Sequence, residues 1–231
     1  MEKEVEFNYK GKEIELFYNE NNIRTIIVLS YEKEGKNFVN LLKEAGFAGF
    51  NIIFISNIDW NNELTPWKEE PIFKGDKEYL GEADKFLDFI ENNLLIKIKN
   101  EYKICLENLT LCGYSLAGLF TLYAGFKTHI FDSLICCSSS FWYKDFSSFV
   151  VNNKLNENVK YVYLSLGNKE HLTKNEIMKT VLDNTNLIYD NIKSRGINIE
   201  FELNEGGHFA DPLDRQIKGI KRLQNYLKIF K

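Results

Sequence analysis

Residues 109–126 read LTLCGYSLAGLFTLYAGF, an apolar run broken at Gly113-Tyr114-Ser115-Leu116-Ala117-Gly118. Residues 109–113 have the composition of a buried strand, and from 116 to 127 the pattern is that of a helix. A serine caught at a strand-to-helix reversal between small residues is of the G-x-S-x-G type, with Ala117 at its last position and Gly118 one beyond. Such a corner forces the serine backbone into a sparsely populated conformation and lifts its hydroxyl above the sheet edge. The backbone N–H of Leu116, at the helix start, faces the place where a negative oxygen would develop. An ordinary glycine turn is the plain alternative, and the rest of the chain decides between them.

The neighbouring segments alternate in the same way. Residues 4–9 and 12–18 alternate apolar and polar around Lys10-Gly11, which predicts an antiparallel hairpin. Strands are expected at 23–31, 50–57, 109–113, 131–139, 159–167 and 197–203. Helices are expected up to Gly46, at 78–100, 116–127, 143–152, 174–194 and 213–229, with a long polar and aromatic loop over 57–76. Strands that alternate with helices predict a mostly parallel sheet of about eight strands, covered by helices on both faces. Right-handed crossovers put the strands' C-terminal ends along one edge, where ligands bind in such sheets. No repeat, low-complexity segment or linker divides residues 1–231, so a single domain is expected, and no insertion after 131–139 is long enough for a large lid domain.

Composition excludes several classes. The net charge of −4 and pI near 5.6 disfavour nucleic acid and anionic membrane surfaces, which need clustered Lys and Arg. No apolar run reaches the roughly 20 residues of a membrane span, and the charged N-terminus has no secretory h-region. Cys105, Cys112, Cys136 and Cys137 show no paired framework; adjacent Cys136 and Cys137 would point to opposite faces of a strand. Free thiols in a reducing, cytoplasmic compartment are expected. Metal and dinucleotide motifs are absent, so neither metal nor cofactor is expected.

A serine nucleophile needs a base, and the chain has three histidines. His129 precedes a strand, at the wrong sheet edge. His171 follows 159–167 beside Lys169 and Glu170 and reads as a loop residue. His208, in NEGGHF between the last strand and the last helix, is the expected base. The orienting carboxylate is expected to be Glu170, which completes the order Ser, acid, His. Glu205 is a rival by proximity to His208, and Asp145 a third candidate.

These residues resemble the α/β-hydrolase superfamily, in particular the esterase D and trilactone siderophore esterase group. The resemblance rests on GYSLAG, VLSYEKEG, SNIDWNNELTPWKEEPIFKG, SSSFWY, SLGNKE and the terminal GGHF. It implies an α/β-hydrolase fold and hydrolysis of a small-molecule ester by a Ser115–His208–Glu170 triad. The family's acid segment maps to residues 167–170, where Asn168 replaces the common aspartate, and its second oxyanion donor maps to the Tyr31 N–H. Trp60, Trp67 and Trp142 all follow strands and are expected to wall an acyl pocket, or else to brace the loops. An acyltransferase, or a non-catalytic binding protein on the same scaffold, are the alternative functions.

Overall fold

β-branched and aromatic side chains at alternate positions make the N-terminal hairpin. β1 (Lys3–Tyr9) turns Val5, Phe7 and Tyr9 inward and its charged residues outward, and β2 (Lys12–Tyr18) pairs with it antiparallel. The outer strand is protected from further pairing by charge, with Lys3 on Glu20 and Lys36 on Glu4. A computed structural model describes residues 3–72, 75 and 77–229 of the chain. Phe73, Lys74 and Asp76, in the loop expected over 57–76, lie outside the described residues.

β3 (Thr25–Leu29), β4 (Asn51–Ser56), β5 (Leu109–Tyr114), β6 (Phe131–Cys137), β7 (Tyr161–Gly167) and β8 (Asn198–Asn204) complete one eight-stranded sheet of order β1-β2-β4-β3-β5-β6-β7-β8. β2 meets β4 antiparallel, and all pairs from β4 to β8 are parallel. Period-two alternation sends Ile27, Leu29 and Leu111 to one face and Ile26, Val28 and Cys112 to the other. Cys136 and Cys137 likewise divide between the two faces, both buried.

The first face is covered by α3 (Ala83–Phe89), α4 (Leu95–Glu101), α5 (Leu116–Lys127), α6 (Phe146–Asn152) and α7 (Val181–Ser194). α1 (Gly35–Glu44) and α8 (Pro212–Ile229) cover the second, through Phe38, Leu42, Ile217, Ile220 and Leu223. α5 is buried almost all round and so carries no polar stripe. None of the described helices is long and apolar enough to cross a membrane.

Several boundaries depart from the sequence reading, the strand ends and the start of α6 by a few residues. The helix expected from 78 begins at Ala83, because Tyr79 and Glu69 exchange backbone hydrogen bonds of 2.9 and 3.0 Å in an isolated bridge. A π-helical turn at Ile90–Leu94 then separates α3 from α4. The helix expected from 174 starts with a 3₁₀ turn at Met178–Thr180, since the Asn175 side chain accepts from the Ile177 and Met178 N–H groups and holds a turn before it. The loop after β4 contains a short helix, α2 (Trp60–Glu63).

The β5–α5 reversal depends on close backbone contact. A Cβ on Gly113 would lie 2.2 Å from the Ala117 carbonyl oxygen, and one on Gly118 would lie 2.2 Å from Ser139 Oγ. At Gly113 the obstacle is main chain and cannot rotate away. Gly113→Ala should therefore cost roughly 1–3 kcal/mol of stability, the scale of overpacking. A urea unfolding curve compared with the wild type checks this; an unchanged midpoint would show that the corner has slack.

Candidate active site

Ser115 holds φ 59° and ψ −123°, a conformation that non-glycine residues rarely adopt. The strain is held by hydrogen bonds on both sides. Its N–H donates to the Cys137 carbonyl at 3.1 Å, and its carbonyl accepts from Ser140 N–H at 3.0 Å and Leu119 N–H at 3.1 Å. The hydroxyl stands at the C-terminal edge of the sheet, at the N-terminus of α5. There the first N–H groups, that of Leu116 among them, have no acceptor inside the helix.

The loops after β7 and β8 reach the same point. His208 Nε2 lies 3.0 Å from Ser115 Oγ, and its Nδ1 lies 2.8 Å from Glu170 Oε2. Glu170 Oε1 accepts from the Gly167 N–H at 2.6 Å and from Arg215 Nη1 at 2.9 Å. One carboxylate oxygen is thus anchored and the other faces the imidazole. The Glu170 side chain is only 4% exposed. Burial alone would raise its pKa, but the hydrogen bond and charge of His208 and the Gly167 and Ser138 hydrogen bonds outweigh it. The carboxyl is held below its ordinary range.

The rival acids are elsewhere. The Glu205 side chain is exposed, and it is the residue's carbonyl that accepts from Arg215, at 3.0 Å. Asp145 takes a left-handed conformation at the start of α6. His129 Nδ1 bonds Asn156 at 2.8 Å, and His171 Nδ1 is buried with no hydrogen-bond partner among the described residues. Neither belongs to the line of contacts at Ser115.

Two residues that the sequence reading passed over tie the site together. Arg215, 2% exposed on α8, donates to Glu170, Ser138 Oγ (2.7 Å), Tyr114 Oη (3.2 Å) and the carbonyls of Glu205 and Gly207. Tyr114 Oη donates in turn to the His208 carbonyl at 2.5 Å, and burial pushes its pKa up to about 12. An arginine in a helix of alternating charge reads as a solvated residue, and only the fold shows that it points inward. Ser140, whose Oγ lies 3.3 Å from Ser115 Oγ, was visible only as part of SSSFWY.

Ser115 opens into a cleft of about 650 Å³ that is lined by Tyr31, Leu116, Trp60, Trp142 and Phe209 among others. Trp67 does not line it. Its ring packs on Tyr143, Phe146 and Phe149, and its Nε1 donates to the Lys144 carbonyl, so it braces the loop. A second hollow of about 640 Å³ lies at the opposite sheet edge. Its Arg195 is already committed to the carbonyls of Val150, Val151 and Asn153. Among the described residues no three His, Cys, Asp or Glu side chains gather as a metal site.

A family model described as Putative esterase matches residues 30–220. The protein YbbA of Bacillus subtilis is 24% identical over 58% of this chain and 55% of its own. The ferri-bacillibactin esterase BesA of the same organism is 31% identical over 56% of this chain and 47% of its own. The chain therefore spans about half the length of the curated relatives it matches. The crystal structure of an IroE-like serine hydrolase from Shewanella oneidensis superposes with a TM-score of 0.77 at 17% identity, covering 96% of this chain and 80% of that one. At that identity the likeness is one of fold.

Two outcomes follow from the buried acid. Removing one partner of a buried ion pair leaves the other uncompensated, so Arg215→Met should lower stability by about 3–5 kcal/mol, read by urea unfolding. Because the Glu170 pKa is lowered in the folded state, the unfolded chain binds that proton more tightly. Its stabilising contribution is complete above the ordinary glutamate pKa and is lost as pH falls through the folded value. Glu170→Gln should flatten the fall of the thermal midpoint below about pH 4.5, with the wild type as reference.

Proposed function

The chain belongs to the Putative esterase family, and from that membership we propose that it is a serine hydrolase of carboxylic esters working through an acyl-enzyme. The observation that carries the reading is the continuous line from Ser115 Oγ through His208 to Glu170, at 3.0 and 2.8 Å, on a strained corner in an open aromatic cleft. The proposal treats residues 1–231 as one catalytic domain and the substrate as a small molecule. Three buried free cysteines and one partly exposed suit a reducing compartment such as the cytoplasm.

His208 Nε2 takes the Ser115 proton as Oγ attacks the ester carbonyl, and Nδ1–H stays on Glu170, which fixes the tautomer and stabilises the imidazolium. The tetrahedral oxyanion is met by the N–H groups of Leu116 and Tyr31. Imidazolium then protonates the leaving alcohol. Water repeats the sequence on the acyl-enzyme, with His208 again as base, and releases the acid. Trp60 and Trp142 supply apolar surface for the bound ester. Ferri-bacillibactin esterase, siderophore hydrolase and ferulic acid esterase are the names of different relatives and neighbours. Hydrolysis is what those names share and two of them name an ester, which is the part carried over to this chain.

A fluorophosphonate should label the protein once, at Ser115, as located by peptide mass. Ser115→Ala should abolish labelling and lower kcat on a soluble aryl ester by roughly 10⁴ to 10⁶. Glu170→Gln should lower kcat by about 10² to 10⁴ and Glu205→Gln by less than about tenfold, about 1.4 kcal/mol. Labelling of another serine, or Glu205→Gln as the crippled enzyme, would overturn the assignment.

A further inference from the structure

We propose that the cleft at Ser115 sorts esters by charge, admitting neutral and cationic apolar esters and turning away anionic ones, with Glu32 and Glu34 as the residues that set the preference. The inference rests on the esterase reading and adds a substrate class to it.

Large aromatic side chains stand open around the nucleophile. Tyr31 is 71% exposed and Phe209 88% exposed, and Tyr31 meets Trp60 edge-on at 5.4 Å. Side chains of this size left uncovered at a cleft mark surface that a ligand would bury. The charged residues in the same lining are Glu32 and Glu34, and among the described residues the lining holds no lysine or arginine.

The nearby cations are engaged elsewhere. Lys33 pairs with Glu6 and Lys36 with Glu4, and both lysines line a neighbouring hollow that Glu34 also borders. Lys144 reaches Glu69. Arg215 is buried behind Tyr114, with its donors on Glu170, Ser138, Tyr114 and two carbonyls.

The carboxylates have little structural employment. Among the described residues Glu34, which precedes α1, makes no side-chain cap to it, and its Oε1 accepts the Ser30 hydroxyl at 2.8 Å. Glu32 is exposed. A cleft with low-dielectric aromatic walls focuses the field of such charges on whatever enters it. An organic ammonium gains from both carboxylates and from the faces of Tyr31 and Trp60. An ester with net negative charge, a metal chelate of acidic ligands included, is repelled by both.

The test compares three fluorophosphonates of one chain length that end in a methyl, a trimethylammonium or a carboxylate group. The readout is the second-order rate of Ser115 labelling in the intact protein. The ammonium compound should react fastest and the carboxylate slowest, with about threefold to tenfold between neighbours in the series at low salt. The spread should shrink at about 0.5 M salt. In the Glu32→Gln/Glu34→Gln double variant the ratio between compounds should collapse toward one, whatever happens to the uncharged compound's own rate. A carboxylate compound as fast as the methyl one, or an order that survives in the double variant, overturns the charge filter while leaving the esterase reading intact. No labelling by any of the three would sink the esterase reading and this inference together.

Discussion

The guanidinium of Arg215, closed off from solvent beneath the active edge, ties together four parts of the chain through one buried group. It reaches the loop after β6 at Ser138, the loop after β7 at Glu170 and the loop after β8 at the carbonyls of Glu205 and Gly207. It also touches Tyr114, on the strand that carries the nucleophile. Taking such a group out of water is costly, and the cost is offset only because its surroundings are acceptors, one of them charged. The pairing works in the other direction too. Glu170 is buried, and without a cation on its anchored oxygen its ionised form would be hard to keep. With Arg215 and the Gly167 N–H on Oε1, Oε2 is free to face His208.

A second constraint lies at Ser115 itself. Its backbone is strained, and the strain persists because the packing around it leaves no alternative. Gly113 and Gly118 let α5 approach the strand and the Ser139 side chain so closely that a methyl group at either position would collide. Ala117 fits where the common pattern has glycine, because the close approach falls one residue later. The three loops pinned by Arg215 and this corner meet within hydrogen-bond distance, so the relative placement of serine, imidazole and carboxylate is set by main chain and buried charge.

Most of this architecture was legible in the sequence, for physical reasons. Short runs of β-branched, aromatic and apolar residues such as TIIVL and YVYLSLG read as strands covered on both faces. The topology then places Ser115, Glu170 and His208 on one edge without any knowledge of distances. What escaped was long-range. The start of α3 is set by a bridge between Glu69 and Tyr79, which no local pattern announces. Trp67 falls after the same strand as Trp60, but packs against α6 residues, and only tertiary contact separates the two roles. Arg215 sits among Asp214, Lys218 and Lys221 and looks like its neighbours. Its burial follows from the facing of α8 against β6 and β7.

The distribution of charge around the site also constrains how catalysis would be shared out. Arg215 is hidden behind the triad, and among the described residues the lining of the cleft carries carboxylates and no lysine or arginine. In the proposed reaction, stabilisation of a tetrahedral oxyanion would therefore fall to N–H dipoles at the start of α5 and after β3. Dipoles of this kind act at the reacting carbonyl alone. Glu32 and Glu34 act on the whole charge of the ester, and they act as strongly before the carbonyl is attacked as after. A negative charge remote from the ester bond would accordingly be penalised on entry and hardly at all in the chemical step. Its cost would fall on KM while kcat stayed near that of the neutral ester, the pattern of an interaction that is equal in the ground and transition states.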